Sequence, residues 1–212
     1  MQTEVVIETQ KHERVIEGFE LSPQQRRLWA LQQLGASLPY HTQCVVEISG
    51  SLDAGALVAS VNDVVARHEI LRTSVRQLPA MTIPVQVVTE GKADGMPEID
   101  LTGLSPNDQE DRLSEWLTEA RQSDARRSNE RDTPVCRLQN ALFALAHNRH
   151  ALALSLPGFC ADRVGLENLV DEIARGYGYV KAADVEAPTA EPLQYADLAA
   201  WQNEMAAALE RI

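Results

Sequence analysis

Basic charge is scarce in this chain: 19 Lys and Arg stand against 31 Asp and Glu, giving a formal net charge of -12 and a pI near 4.8. A surface of that sign repels phosphate backbones and anionic headgroups, so nucleic acid and membrane surfaces are not expected as partners. No apolar run reaches the roughly 18 residues of a membrane-spanning helix. The opening Met1, Gln2, Thr3 and Glu4 have neither the basic nor the apolar region of a secretion signal, and the chain is expected to be cytoplasmic. Cysteine is limited to Cys44, Cys136 and Cys160, each in apolar surroundings at wide spacing. That spacing argues against both a disulfide framework and a zinc site. Aromatics make up only 5% of the chain, so each large one is informative. Trp29, Trp116 and Trp201 fall on amphipathic helical patterns and read as core or lobe-interface anchors.

What is present is ordinary for a globular protein: 212 residues, 44% apolar and 24% charged, enough for one large domain or two small ones. Residues 1–18 are polar apart from Val5, Val6 and Ile7 and read as a flexible arm. Ser22 opens a capping box with Gln25, Pro23 suits the first helical position, and Leu28, Leu31 and Leu34 form a stripe ending at Gly35. Cys44 to Ile48 alternates as a strand, and Asp53 can cap a helix carrying Leu57, Val61, Val64, Val65 and His68 on one side. Strands are expected near residues 41–49, 71–77, 84–89, 134–145 and 150–156. Residues 89–104, with Gly91, Gly95, Pro97 and Gly103, read as loop. Ser105 and Pro106 start a helix with Leu113, Trp116, Leu117 and Ala120 inward, and the polar stretch 121–132 reads as an exposed connection. His147 to His150 form a hairpin turn. Gly, Ala, Pro and acidic residues over 176–192 read as a linker, placed at 181–193. The final helix, from about residue 194, spaces Leu198, Trp201, Met205 and Leu209 as an apolar stripe and stops without a cap, which suggests a truncated continuation or a face meant for something absent.

The most informative stretch is 152–170. Leucines at 152, 154 and 156 alternate as a strand, Pro157 and Gly158 end it, and Asp162 stands where a helix N-cap is favoured. Val164, Leu166, Leu169, Val170 and Ile173 then follow helical spacing. Strand-to-helix junctions of this kind often carry chemistry. Cys160 lies within it and invites a reading as a nucleophile activated by the helix N-terminus, against a small core residue as the simpler alternative. His147 and His150 lack a third ligand, so no metal site is expected.

Three stretches in this order resemble one family, the condensation domains of nonribosomal peptide synthetases, which share the chloramphenicol acetyltransferase fold. Residues 21–29, with Ser22, Gln25, Arg27, Leu28 and Trp29, resemble its opening motif, and Arg67, His68, Glu69, Ile70, Leu71, Arg72 and Thr73 resemble its second motif almost letter for letter. Where the family carries His-His-x-x-x-Asp-Gly, this chain has Pro157, Gly158, Phe159, Cys160, Ala161, Asp162 and Arg163. Residues 195–202, including Tyr195 and Trp201, resemble the helix leaving the family's first lobe. The resemblance implies an α/β chloramphenicol acetyltransferase-like lobe, a mixed central sheet with helices packed on its face. It covers only the amino-terminal half of a two-lobed domain, over residues 19–180, with 194–212 beginning the helix toward the missing second lobe. That lobe, with its bridging segment and crossover strand, would come from elsewhere.

The same resemblance implies a site. The family's second motif histidine assists attack of an acceptor amine on a thioester, and its position here is Gly158. Imidazole, with a pKa of about 6.5, relays protons at neutral pH, and glycine has no side chain to do so. Asp162 matches the family's aspartate, a salt-bridge partner of an arginine, for which Arg67 or Arg72 is the expected partner; His68 is implied to be a packing and hydrogen-bonding residue. No cofactor is expected to be bound directly, because substrates arrive on the phosphopantetheine of peptidyl or acyl carrier proteins. Such acidic carriers would favour basic pairs such as Arg26 with Arg27 or Arg126 with Arg127. Two functions are implied. One is a catalytically impaired lobe that presents carrier-bound substrate, or recruits a neighbouring synthetase domain or a trans-acting tailoring enzyme. The other is an acyltransferase that forms an amide or ester by positioning or other residues once the second lobe is present. General acid–base help is worth about 10²- to 10⁴-fold, whereas positioning can supply effective molarities of about 10⁵ to 10⁸ M.

Overall fold

The computed structural model describes residues 18–33, 40–76, 84–89, 95–127, 136–181 and 192–209. In chain order the elements are β1 (Gly18–Glu20), α1 (Pro23–Gln33), β2 (His41–Ser49), α2 (Ala54–Arg67), a 3-10 turn (Glu69–Arg72), β3 (Thr73–Arg76), β4 (Val85–Val88), β5 (Glu98–Asp100), α3 (Pro106–Arg127), β6 (Gln139–Ala146), β7 (Arg149–Pro157), α4 (Arg163–Lys181) and α5 (Tyr195–Leu209). The expected strands divide between two sheets. A mixed sheet runs in the order β2-β7-β6-β5, antiparallel except for β5 parallel to β6, and a smaller antiparallel sheet runs β1-β4-β3. Among the described residues no helix is long and apolar enough to cross a membrane.

Period-two patterning decides what covers each face of the mixed sheet. Leu152, Leu154 and Leu156 of β7 meet Leu57, Val61 and Val64 of α2 and Leu166, Leu169 and Ile173 of α4. On the other face Ala151 and Ala153 are small enough to let Phe143 and α3 approach, with Leu113, Trp116 and Leu117 packed there. Trp116 meets Phe143 edge-on, ring centres 6.2 Å apart at 83°. Helices therefore cover both faces of this sheet.

Several boundaries depart from the sequence reading. β5 lies inside the stretch read as loop: three residues suffice because Leu101 behind them is buried and the strand pairs with β6. β1 was hidden at the edge of the expected arm, whose residues 1–17 lie outside the described set. The 134–145 strand starts only at Gln139, with buried Cys136 and Leu138 leading in as irregular chain. Likewise the strand expected at 71–77 begins at Thr73, after the 3-10 turn. α3 continues through the charged stretch to Arg127, since Arg, Gln and Ala are good helix formers. α4 runs through Gly176 and Gly178 to Lys181, past the start of the expected linker, of which 182–191 lie outside the described residues.

The helix starts follow the sequence closely. Gln25 N–H donates to Ser22 Oγ at 3.1 Å and Ser22 N–H to Gln25 Oε1 at 3.0 Å, closing the capping box. Asp53 accepts from Ala56 N–H at 3.0 Å; that bond first, then Lys181, holds its carboxyl below the usual range. α1 buries Gln25 and, behind its cap, Leu21 and Ser22, rather than the leucine stripe, and Leu34 and Gly35 lie outside the described residues. α5 packs through its small side chains. It buries Ala196 and Ala199, while Trp201 is 58% exposed and Met205 and Leu209 face solvent with it, so Trp201 is no core anchor.

Gly176 explains why α4 tolerates glycine. Its Cα faces Ser60 of α2, whose hydroxyl donates to the Ile173 carbonyl at 2.6 Å, and a Cβ there would collide with that Oγ. Gly176→Ala gains about 1 kcal/mol of helix propensity but overpacks the α2–α4 seam at a cost of about 1–3 kcal/mol. Thermal unfolding should show a lower midpoint, partly recovered when Ser60→Ala is added; a raised midpoint in the single variant would show the seam to be loose.

Candidate functional site

The junction after β7 is built by pairing with β2. His41 stands opposite Pro157, and Gly158 N–H donates to the Tyr40 carbonyl at 2.6 Å. Pro157 therefore occupies the position flanking a hydrogen-bonded pair, where its missing N–H removes no ladder bond. The chain then turns, with Cys160 N–H donating to the Pro157 carbonyl at 2.9 Å and Thr42 Oγ1 to the Ala161 carbonyl at 3.0 Å. Asp162 ends the turn as the N-cap of α4: Gly165 N–H donates to its Oδ1 at 2.8 Å and Leu166 N–H to its carbonyl at 2.9 Å.

Under this turn lies a packed floor. Phe159 and Cys160 are buried with Leu21 and Cys136, and Leu28 and Trp29 close the cluster. Tyr195, at the start of α5, shares a 3.0 Å hydrogen bond with the Ser22 hydroxyl. Burial pushes the Tyr195 phenol above its ordinary range, against the lowering effect of Ser22. Cys160 thus points into the floor, only 7% exposed, which favours its core reading over attack on a substrate.

The second motif ties four elements together. His68 Nε2 is 2.9 Å from Glu172 Oε2 on α4, and Arg67 reaches the same carboxylate at 3.6 Å and Asp63 at 3.7 Å. Arg72 donates to the Thr89 carbonyl at 3.1 Å and lies 3.7 Å from Glu69. Gln194, just before α5, clamps the motif backbone: its Nε2 donates to the Arg67 carbonyl and its Oε1 accepts from Glu69 N–H, both at 3.0 Å. The expected pairing of Asp162 with Arg67 or Arg72 is not made. Asp162 is an exposed cap, and both arginines are occupied by nearer carboxylates and a carbonyl. Neither Glu172 nor Gln194 stood out in the sequence, because each acts across more than 100 residues of chain.

Beside the turn, a cleft of about 390 Å³ opens between β2, the edge strand of the sheet, and α4. Thr42, Cys44, Val46, Arg163, Leu166 and Val170 line it. Burial pushes the Cys44 thiol up, so it stays protonated at neutral pH. Arg163 is exposed and lies 3.2 Å from Glu167, one helical turn on. A Cβ placed on Gly158 would come within 3.2 Å of both the Cβ and the carbonyl oxygen of Tyr40. His147 and His150 lie at the far end of the β6–β7 hairpin. Of the basic pairs, Arg26 bonds Asn203 and Arg27 is exposed; the side chains of Arg126 and Arg127 lie outside the described set.

Because Asp162 acts through an oxygen that asparagine also offers, Asp162→Asn should melt close to the parent, while Asp162→Ala should lose about 1 kcal/mol. An Asn variant as damaged as the Ala variant would point to an ion pair instead. Iodoacetamide at neutral pH should leave Cys136 and Cys160 unmodified in the folded protein; rapid labelling of Cys160 would return it to candidacy as a nucleophile.

Known proteins match this arrangement. Residues 15–211 match the family model described as Condensation domain. The chain is 35% identical over 185 residues to chondramide synthase cmdD of Chondromyces crocatus, covering 87% of this chain and 5% of that protein. Among solved structures, the X-domain from teicoplanin biosynthesis superposes with a TM-score of 0.68 at 26% identity, covering 96% of this chain and 41% of that one. The first condensation domain of the calcium-dependent antibiotic synthetase, in complex with a substrate analogue, has the same fold, with a TM-score of 0.67 at 22% identity over 82% of this chain and 40% of that one. This chain therefore spans about two-fifths of the solved domains and a small part of the curated synthase it resembles.

Proposed function

The chain belongs to the condensation-domain family, with the chloramphenicol acetyltransferase-like fold, and from that premise we propose that it is the amino-terminal lobe of a nonribosomal peptide synthetase condensation-type domain whose own turn contributes no proton relay. In this reading the lobe receives an acyl or aminoacyl thioester borne on the phosphopantetheine of a carrier protein. It presents that substrate, or serves as a platform that recruits a neighbouring synthetase domain or a trans-acting tailoring enzyme. One observation carries it: the position matching the family's second histidine is Gly158, and the space beside its Cα is taken by Tyr40. A group that must accept a proton from an attacking amine needs a basic side chain within hydrogen-bond reach, and residues 158–162 of the turn itself offer backbone and a carboxylate engaged as a helix cap instead.

A second reading keeps acyl transfer. The cleft beside the turn, on the open edge of the sheet, is a place where a substrate could be held against a second lobe, and holding two reactants is itself a large source of rate.

Reconstitution of the two-lobed protein with loaded donor and acceptor carriers separates the readings. The first expects product at no more than the uncatalysed rate; a rate well above it sinks that reading and supports the second. Gly158→His is expected to restore nothing. The introduced Cβ must displace Tyr40, lowering the melting temperature by a few degrees for a cost of about 1–2 kcal/mol. A gain in product with this variant would show that the missing imidazole alone limits the site.

A further inference from the structure

Tyr40 enters the turn from the opposite strand. With His41 facing Pro157, the next pair outward is Tyr40 and Gly158, joined by the 2.6 Å bond between them. Directly opposed residues of an antiparallel pair place their side chains on the same face. The 3.2 Å approach of a Gly158 Cβ to the Tyr40 Cβ is the consequence: the Tyr40 side chain leaves the backbone where a side chain at 158 would. Two and four residues along β2, the same face carries Thr42, bonded to Ala161 in the turn, and Cys44 in the cleft wall. Tyr40 thus stands beside the turn at the outer end of this row, with Thr42 between it and the cleft. It is 57% exposed, and its hydroxyl has no hydrogen-bond partner among the described residues. An exposed aromatic with an unpartnered hydroxyl, anchored by a short backbone bond, combines a rigid apolar surface with one directed polar contact and little entropy to lose on binding.

We propose that Tyr40 is the substrate-contacting residue of this turn: its ring lies along the pantetheine arm, and its hydroxyl donates a hydrogen bond to the thioester carbonyl. No covalent bond is made or broken in this role. Glycine at 158 leaves the phenol unobstructed, and the hydrogen bond fixes which face of the carbonyl is shown to whatever acts on it. The inference rests on the reading of the lobe as one that presents carrier-borne thioesters.

The test measures the affinity of the two-lobed protein for a carrier bearing an amide-linked acyl-pantetheine mimic and for the same carrier with its phosphopantetheine unloaded. The parent should prefer the loaded carrier. Tyr40→Phe should reduce that preference about fivefold, the worth of one neutral hydrogen bond, and Tyr40→Ala should reduce it by about as much while also weakening binding of both carriers, as the ring contact with the arm goes. Affinity for the unloaded carrier and the melting temperature of Tyr40→Phe should stay at parent values, which a merely structural tyrosine would not combine with a lost preference. Parent-like preference in both variants overturns the inference, and so does a parent that binds both carriers equally well. A parent that binds neither carrier overturns the presenting function itself, and the role of Tyr40 with it.

Discussion

The antiparallel pairing of β2 with β7 is the constraint on which the rest depends. It runs over nine residue pairs, from His41 with Pro157 to Ser49 with Arg149, and extends one further bonded pair to Tyr40 and Gly158. Because β7 also pairs with β6, its leucine face is fixed toward α2 and α4 and its alanine face toward α3. A slip of one residue would turn Leu152, Leu154 and Leu156 toward α3 and bury the wrong set. The same register delivers Gly158 against Tyr40 and starts α4 at Asp162, so the geometry of the candidate site is the end of the register that orders the core.

Around that axis the polar contacts divide the labour. The second motif reaches the floor under the turn through Ile70, while Arg67, His68 and Arg72 brace α2 against α4 and the small sheet, and Gln194 ties the same backbone to the start of α5. Tyr195 and Ser22 then join α5 and α1 beneath the turn. Motif residues that resemble a catalytic family's signature here serve to hold a loop in place from below, and Thr42 and Arg163 line the cleft, with Tyr40 at the outer end of the same strand face. That division is why a turn lacking histidine can keep this architecture.

Local signals were legible wherever the physics is local. The capping box of Ser22 and Gln25, the caps at Asp53 and Asp162, and the alternating leucines of β7 all rest on contacts within a few residues, and each was readable in order. The family was legible too, through stretches at 21–29, 67–73 and 157–163. Less visible was β5, too short to show a period and held only by its partner β6. Trp201, Met205 and Leu209 form a valid helical stripe, yet α5 packs through Ala196 and Ala199, since small side chains allow the close approach that lets Asn203 reach Leu21 and Arg26.

The sequence by itself determined the family, the helix starts, the strand carrying the turn and the absence of imidazole at positions 157 and 158, because each is written in residue identity or in spacing along the chain. Only the tertiary structure decided the division into two sheets, the release of Asp162 from Arg67 and Arg72, the grip of Glu172 and Gln194 on the second motif, and the arrival of Tyr40 beside Gly158. Those are contacts between segments far apart in sequence, set by strand register and by which side chains compete for the same space, and neither quantity is carried by any one stretch alone.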